Sequence, residues 1–343
     1  MKRALIVKLG AIGDVIMTVA AVGQLHAQGY TIDWVCGPAV SPLLRCYSWI
    51  HVIEADDRAV LKGSLSERVR AVASTWKQLF GTKYDLKATL YYDARWQIFT
   101  LPVRAVRSIT LSHTDRSRRL LPTRPHADEF ARVVLGWKDS CRDVSLPPHR
   151  PDRLPPSPLP SVTVRRIAMV PAGASNMVRE QALRRWPADR YAAIARTLLE
   201  RGDEVVLLGG PGDTWVREHF AGLAGHPRLI DLIGQTTLPQ LISTCDTCSL
   251  VLSHDTGPLH LAGLSVAPVL ALFGPTDPGS FLPRRSGVRV LWGGEDFACR
   301  PCYDGRNFAP CESNGCMQSI STEAVLRAMD EMLAPALTHI DTA

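Results

Sequence analysis

Seven prolines between Pro147 and Pro160 are the feature that most constrains how this 343-residue chain can fold. Proline cannot donate to a strand ladder or continue a helix, so this stretch predicts an extended, stiff segment. The chain is also longer than one hydrophobic core usually organises. We therefore expect two domains, residues 1–150 and 166–335, joined by a proline-rich linker at 151–165.

Both halves alternate short apolar runs with helical patterns. In the first half we predict a helix at 14–28 and strands at 4–9, 31–36 and 88–92. The second half predicts helices near 189–200 and 214–223, with strands at 167–170, 204–208, 229–233, 249–253 and 269–273. Short apolar strands between helices indicate parallel sheets covered on both faces. The predicted fold class is α/β: two Rossmann-like, doubly wound domains that face each other across a cleft.

The composition excludes several classes of protein. The chain is 46% hydrophobic and 21% charged, which argues against disorder, collagen-like repeats and coiled coils. Its best apolar runs, 15–23 and 266–273, are about half of the roughly 20 residues that a membrane-spanning helix needs. The N-terminus imitates a secretory signal, but Lys8 and Asp14 interrupt its apolar stretch. We expect a cytoplasmic protein, with peripheral contact to the inner membrane as a further option.

The net charge of +6 is unevenly divided. Residues 1–160 hold 23 Lys and Arg against 14 Asp and Glu (+9), whereas residues 161–343 hold 16 against 19 (−3). The basic excess centres on residues 95–124, where every cation is arginine and the one acid is Asp115. The stretch is either a solvated loop or a patch that grips the phosphates or carboxylates of an anionic partner. The candidate acceptor-binding residues are Arg95, Arg116, Arg118 and Arg119.

The turn after the first predicted strand, Lys8-Leu9-Gly10-Ala11-Ile12-Gly13-Asp14, places a carboxylate at the start of a helix. Asp14 is either a helix cap or a general base, because a helix N-terminus keeps a carboxylate ionised. The glycines do not form the G-x-G-x-x-G fingerprint, and the carboxylate would repel a pyrophosphate. These features count against a nicotinamide-dependent oxidoreductase, which the doubly wound pattern alone would allow.

Three polar turns follow predicted strands of the second half, around residues 171–176, 253–263 and 273–278, and Arg184 and Arg185 come soon after the first. One interpretation is structural: the arginines are solvated, Asp255 or Thr256 caps the next helix, and the histidine at 260 packs in the interior. The other is functional: the turns and the arginines together form a phosphate-binding pocket. No Asp-x-Asp pair occurs in the sequence, so a bound diphosphate would need cationic side chains in place of a metal clamp.

The motifs KLGAIGDVIMT, GASN, RRWP, SHDTGPLHLAG and LFGPTDP, in that order, resemble glycosyltransferase family 9, the ADP-heptose:lipopolysaccharide heptosyltransferases. The resemblance covers about residues 1–335. It implies a GT-B fold, an ADP-L-glycero-D-manno-heptose donor, and inversion without a catalytic metal. The expected acceptor is an anionic glycolipid, the lipopolysaccharide inner core.

The same resemblance implies that Asp14 is the catalytic base and that Arg184 replaces a phosphate-binding lysine. Together with the turn analysis, it gives a donor-binding set of Gly13, Ala174, Ser175, Asn176, Arg184, Arg185, Asp255, Thr256, Gly257, Pro258 and His260.

Four of the nine cysteines lie close together, and their spacing can close a four-thiolate site around zinc or iron: Cys299, Cys302, Cys311 and Cys316. Two disulfides or four reduced thiols are the alternatives. Bacterial protein O-heptosyltransferases resemble this family with an iron-binding finger, which keeps a protein acceptor as an alternative. A nucleic-acid module is disfavoured, because the cysteines lie far from the arginines and few aromatic residues accompany them.

Overall fold

The computed structural model describes residues 2–137, 145–175, 180–305 and 307–334. It contains two parallel β-sheets, one on each side of the proline-rich segment, which confirms the predicted α/β class. Residues 145–165, which include that segment, contain no helix or strand.

The first sheet has five strands in the order β3-β2-β1-β4-β5, all parallel. Its strands are β1 (Lys2–Val7), β2 (Tyr30–Cys36), β3 (Ile50–Glu54), β4 (Lys83–Thr89) and β5 (Arg104–Thr110). The helices of this half are α1 (Ile12–Ala27), α2 (Ser41–Leu44), α3 (Asp57–Lys62), α4 (Leu65–Leu79) and α5 (His126–Leu135), with 3₁₀ turns at Ala94–Thr100 and Arg116–Arg118.

The second sheet has six parallel strands in the order β11-β10-β9-β6-β7-β8. Its strands are β6 (Arg166–Val170), β7 (Glu204–Leu207), β8 (Leu229–Asp231), β9 (Leu250–His254), β10 (Val269–Phe273) and β11 (Val288–Trp292). The helices are α6 (Ala188–Glu200), α7 (Leu238–Asp246), α8 (Gly257–Gly263), α9 (Pro278–Phe281), α10 (Gly315–Gln318) and α11 (Thr322–Leu333), with 3₁₀ segments at Ala182–Arg184 and Pro211–Leu223.

Burial explains which elements the sequence revealed. Strands β6, β9 and β10 are buried along their whole length, so they appear as apolar runs, and their predicted positions are correct within a residue. The predicted strand at 88–92 is wrong in position, since β4 starts at Lys83 and alternates in burial. Strand β5 was not predicted because it is an edge strand whose exposed positions carry arginines. The predicted helix at 214–223 is a 3₁₀ segment.

Helix α1 of the first half packs against both α5 and α8, and α8 belongs to the second half. The two sheets therefore share an apolar core that continues from one half into the other. Among the described residues, none of the helices is long and apolar enough to cross a membrane.

Candidate active site

Both sheets place their key turns at the point where the strand order reverses. In the first sheet β1 is central, and the turn 8–11 leaves its carboxyl end. In the second sheet β6 and β9 are neighbours, and the turns that follow them carry Gly173 and Asp255. Parallel doubly wound sheets bind ligands in the crevice that opens at this reversal. The contact between α1 and α8 joins the two crevices into one site.

The first-domain half of the site is built around an ion pair. Asp14 lies in the first turn of α1, and its carboxylate accepts a hydrogen bond from the Lys8 ammonium at 2.8 Å. Lys8 is buried, donates also to the carbonyl oxygen of Leu90, and lies 4.4 Å from the ring centre of Tyr91. The Tyr91 hydroxyl accepts hydrogen bonds from the backbone N–H groups of Leu9 and Gly10, which fixes the turn.

The electrostatics of this pair keep Asp14 ionised. Burial alone would raise the pKa of Asp14, but the charge and hydrogen bond of Lys8 outweigh it and lower that pKa below its ordinary value. The pKa of Lys8 is raised, because the Asp14 carboxylate outweighs the effect of burial. The Asp14 side chain remains 38% exposed, so a substrate can still reach it. Sequence analysis assigned no role to Lys8, although a lysine at the end of a buried strand was a usable signal.

The second-domain half is held by two hydroxyl groups. Thr256 Oγ1 accepts a hydrogen bond from the backbone N–H of Ala174 at 2.8 Å, which ties the turn after β9 to the turn after β6. Thr276 Oγ1 donates to Asp255 Oδ2 at 2.6 Å. Thr256 occupies the N-cap position of α8, as one option predicted, but its side chain makes no capping hydrogen bond because it binds Ala174 instead.

Arg184 lies beside Asp255 in this half of the site. Its Nε lies 3.5 Å from Asp255 Oδ2, and the two side chains are 15% and 2% exposed. Arg184 Nε and Asp255 Oδ1 are both buried and make no hydrogen bond within the described part of the chain. Buried polar atoms normally have partners, so these two atoms mark a place where a polar ligand fits.

The predicted donor set also includes Arg185, Ser175, Pro258 and Asn176. Arg185 supports its own loop, since it donates to the carbonyl oxygen of Gly173 at 2.8 Å and pairs with Glu180 at 2.7 Å. Ser175 is exposed and forms a backbone bridge with Glu180. Pro258 occupies the first turn of α8, and Asn176 lies outside the described residues.

Two glycines let the halves of the site approach each other. A methyl group at Gly13 would lie 2.5 Å from His260 Cδ2, and one at Gly257 would lie 3.1 Å from Ile12 Cβ. His260 therefore packs directly against the start of α1. Burial lowers the pKa of His260, and the nearby carboxylates of Asp255 and Asp14 offset this only in part.

His126, at the start of α5, was missed by the sequence analysis. Its Nδ1 atom is buried, and burial lowers its pKa, while Asp14 acts in the opposite direction. Its ring packs edge-on against Phe281, with 4.4 Å between ring centres. The chain thus brings Asp14, His126, His260 and Arg184 into one electrostatic neighbourhood.

The predicted acceptor arginines lie beyond the same edge of the first sheet as Asp14. Arg95 follows β4 and pairs with Asp93 at 2.7 Å, and Arg118 follows β5 and pairs with Asp115 at 2.7 Å. Arg116 and Arg119 are exposed on the same 3₁₀ turn or next to it. The patch is therefore partly neutralised by neighbouring acids.

The four clustered cysteines line one cavity, together with Leu183 and Pro275. All four are free thiols, so the disulfide alternative is not what the structure shows. In the described part of the chain, no group of three or more His, Cys, Asp or Glu side chains has the arrangement of a metal site. The cysteine segment is attached to the walls of the donor half, because Cys302 N donates to the Pro275 carbonyl oxygen and Asn314 Nδ2 to that of Arg185.

Residues 165–311 match the model of glycosyltransferase family 9 (heptosyltransferase). This part of the chain is therefore similar to glycosyltransferase family 9. The resemblance inferred from the motifs is thereby confirmed. The chain is 36% identical to lipooligosaccharide heptosyltransferase 2 of Haemophilus ducreyi, over 32% of each protein. It is 25% identical to the lipopolysaccharide core heptosyltransferase OpsX of Haemophilus influenzae, over 81% of this chain and 80% of that protein. The match thus covers about a third of the length of the first relative.

Solved structures of glycosyltransferases share the whole fold. ADP-heptose lipopolysaccharide heptosyltransferase II of Escherichia coli aligns with a TM-score of 0.72 at 19% identity, over 97% of this chain and 98% of that one. Heptosyltransferase WaaC of the same organism, solved with ADP, gives 0.70 at 18% identity, over 96% and 99%. The iron-containing dodecameric glycosyltransferase TibC from enterotoxigenic E. coli gives 0.61 at 12% identity, over 96% and 76%. These alignments confirm the GT-B fold.

Proposed function

We propose that this chain transfers heptose from ADP-L-glycero-D-manno-heptose to a hydroxyl group of an anionic acceptor, with inversion and without a catalytic metal. One observation carries the proposal: the Asp14 carboxylate and the largely buried Arg184 guanidinium belong to the two halves that meet through α1 and α8, and both act on His126 and His260. A carboxylate can act as a general base, and a guanidinium can bind a diphosphate.

Each half of the site has one task in this reaction. Asp14 removes the proton of the acceptor hydroxyl as its oxygen attacks the anomeric carbon from the face opposite to the ADP. Such general-base help contributes about 10²–10⁴-fold to the rate. Arg184 neutralises the charge that develops on the leaving diphosphate, and the turns at Ala174 and Asp255–Gly257 enclose the nucleotide. The neutral histidines 126 and 260 exclude water from the cleft without adding charge.

The acceptor we propose is the lipopolysaccharide inner core, because the relatives named above are lipopolysaccharide or lipooligosaccharide heptosyltransferases. The arginines at 95 and 116–119 lie beyond the sheet edge that carries Asp14, where they can meet acceptor phosphates or carboxylates. Such an acceptor places the reaction at the cytoplasmic face of the inner membrane. A protein acceptor is the alternative, because the four clustered cysteines resemble the iron-binding finger of bacterial protein O-heptosyltransferases.

The test is incubation with a panel of nucleotide sugars, following free nucleotide and product by mass spectrometry, for the wild type and for Asp14→Asn. We expect consumption of ADP-heptose by the wild type, and for Asp14→Asn a loss of turnover of at least about 100-fold with ADP affinity within a few fold. Asp189→Asn is the matched control, since Asp189 is an exposed acid in the first turn of α6. Unchanged turnover in Asp14→Asn would remove this carboxylate from the mechanism.

We further propose that the four clustered thiols hold a structural zinc or iron ion. The donor set consists of cysteine side chains alone, which both ions accept as thiolates, and all four line one cavity. The ion would tie the segment 299–316 together and would take no part in the transfer.

Metal analysis of the purified protein tests this assignment. We expect about one zinc or iron per chain, lost in Cys302→Ser together with a lower melting temperature. Cys46→Ser is the control, because Cys46 lies in the first domain and its thiol donates to the Pro42 carbonyl oxygen. Equal metal content in wild type and Cys302→Ser would refute the assignment.

A further inference from the structure

We infer that Tyr303 and Phe308 of the cysteine-rich segment are positioning residues that, with Phe281, hold the guanidinium group of Arg184 in the donor site. The inference rests on the proposed role of Arg184 in diphosphate binding and adds a second part of the chain to that site.

Three aromatic rings surround the guanidinium group. The Arg184 Cζ atom lies 5.4 Å from the ring centre of Tyr303, 5.7 Å from that of Phe281 and 5.8 Å from that of Phe308. All three distances fall within the roughly 6 Å over which a cation is attracted by a ring face. The rings also contact one another, with 4.8 Å between the centres of Tyr303 and Phe308 and 6.2 Å between those of Phe281 and Tyr303.

The backbone of the segment keeps two of these rings in place. Tyr303 and Phe308 form an antiparallel bridge, and Asn307 N donates to the Asp304 side chain at 2.7 Å. The backbone N–H groups of Cys302 and Tyr303 both donate to the carbonyl oxygen of Pro275. This small hairpin lies between Cys302 and Cys311, so the clustered cysteines flank it on both sides.

Aromatic rings suit the task better than additional carboxylates would. A carboxylate would occupy the N–H groups of the arginine and cancel its charge, whereas a ring face attracts the cation and leaves those N–H groups free for a ligand. The Arg184 Nε atom is buried without a hydrogen bond within the described residues, beside Asp255. A planar guanidinium stacks on rings better than an ammonium does. The rings therefore account for an arginine at a position where the family resemblance implies a lysine.

A double-mutant cycle on ADP binding tests the inference by isothermal titration calorimetry. The variants are Arg184→Lys, the ring variant Tyr303→Leu/Phe308→Leu, and their combination. We expect the ring variant to weaken ADP binding about three- to tenfold, and Arg184→Lys to weaken it by a similar factor. In the combined variant the factors should not multiply, because without the rings an arginine has little advantage over a lysine.

Two further variants separate positioning from loss of folding. Phe297→Leu also replaces a ring by leucine, two residues before the segment, at a ring that packs against Gly294 and Gly315 instead of Arg184, and should bind ADP like the wild type. Tyr303→Phe keeps the ring, so this variant should bind ADP more tightly than a variant with leucine at position 303. In turnover assays the ring variant should raise the KM for ADP-heptose more than it lowers kcat, and leave the pH dependence of kcat unchanged.

The outcomes are distinct. The inference would be overturned, with the proposed function intact, if the two factors in ADP affinity multiply in the combined variant. The same holds if Phe297→Leu and the ring variant lose ADP affinity equally. A wild-type protein that neither binds ADP nor consumes ADP-heptose would overturn both.

Discussion

At the scale of single residues, the reactivity of the site depends on the contact between Lys8 and Asp14. A carboxylate surrounded by protein would normally bind its proton more tightly, because burial disfavours charge. The ammonium at 2.8 Å reverses this effect, so the pKa of Asp14 falls below its ordinary value. The Asp14 carboxylate therefore stays ionised at neutral pH, as the proposed general base must be.

Removing Lys8 should move the acid limb of the kcat profile to higher pH. In Lys8→Met the pKa of Asp14 is no longer lowered, so the carboxylate becomes protonated at a higher pH and activity is lost earlier on acidification. The measurement is kcat from pH 4 to 9 for both proteins. Lys87→Met is the control, since the Lys87 ammonium on β4 lies against the Thr100 carbonyl oxygen. An acid limb that stays in place would show that Lys8 does not set the pKa of the base.

At the scale of elements, the site is formed by turns that are joined to one another by side-chain hydrogen bonds. Thr256 follows β9, and its hydroxyl accepts the N–H of Ala174, which follows β6. Gly173 is needed beside it, because a Cβ there would lie 2.5 Å from Thr256 Oγ1 and its φ of +90° disfavours other residues. One buried hydrogen bond therefore joins the two turns of the proposed donor pocket.

Thr256→Val should lower the stability of the second domain by about 1–3 kcal/mol, because the buried N–H of Ala174 loses its acceptor. ADP affinity should fall with it, since the two turns are no longer tied. Thr256→Ser retains the hydroxyl group and serves as the control. Chemical denaturation and calorimetry measure the two effects, and a valine variant as stable as the serine variant would contradict the prediction.

At the scale of the whole molecule, the cleft exists because two separately formed sheets meet through α1 and α8. Ion pairs reinforce the meeting: Arg150, before the linker, binds Asp246 of α7 through two hydrogen bonds of 2.6 and 3.0 Å, and Arg284 lies 3.5 Å from Asp128 of α5. Between these contacts helix α1 approaches α8 so closely that there is no room for a side chain at position 13.

Gly13→Ala should weaken this contact, because its methyl group would overlap the ring of His260. Overpacking of this kind costs about 1–3 kcal/mol, and we expect a lower melting temperature together with slower heptose transfer. Gly212→Ala is the control, since no atom lies within 4 Å of the position that a methyl group would take there. If the two alanine variants melt and react alike, the close approach of α1 and α8 is not required.

The sequence determined the α/β class, the order of the buried strands and the turns that carry Asp14, Arg184 and Asp255. Fully buried parallel strands must be continuous apolar runs, and the polar residues that end them stand out against those runs. The exposed edge strand β5 and the half-buried β3 and β11 carry no such signal, and the sequence analysis missed them.

Only the tertiary structure decided which groups act on one another. Lys8, His126 and the rings at 281, 303 and 308 are distant in sequence from the residues they influence, and no spacing rule connects them. Electrostatic and cation–π effects depend on separations of a few ångströms, and such separations arise only when the sheets, the α1–α8 contact and the cysteine-rich segment have packed together.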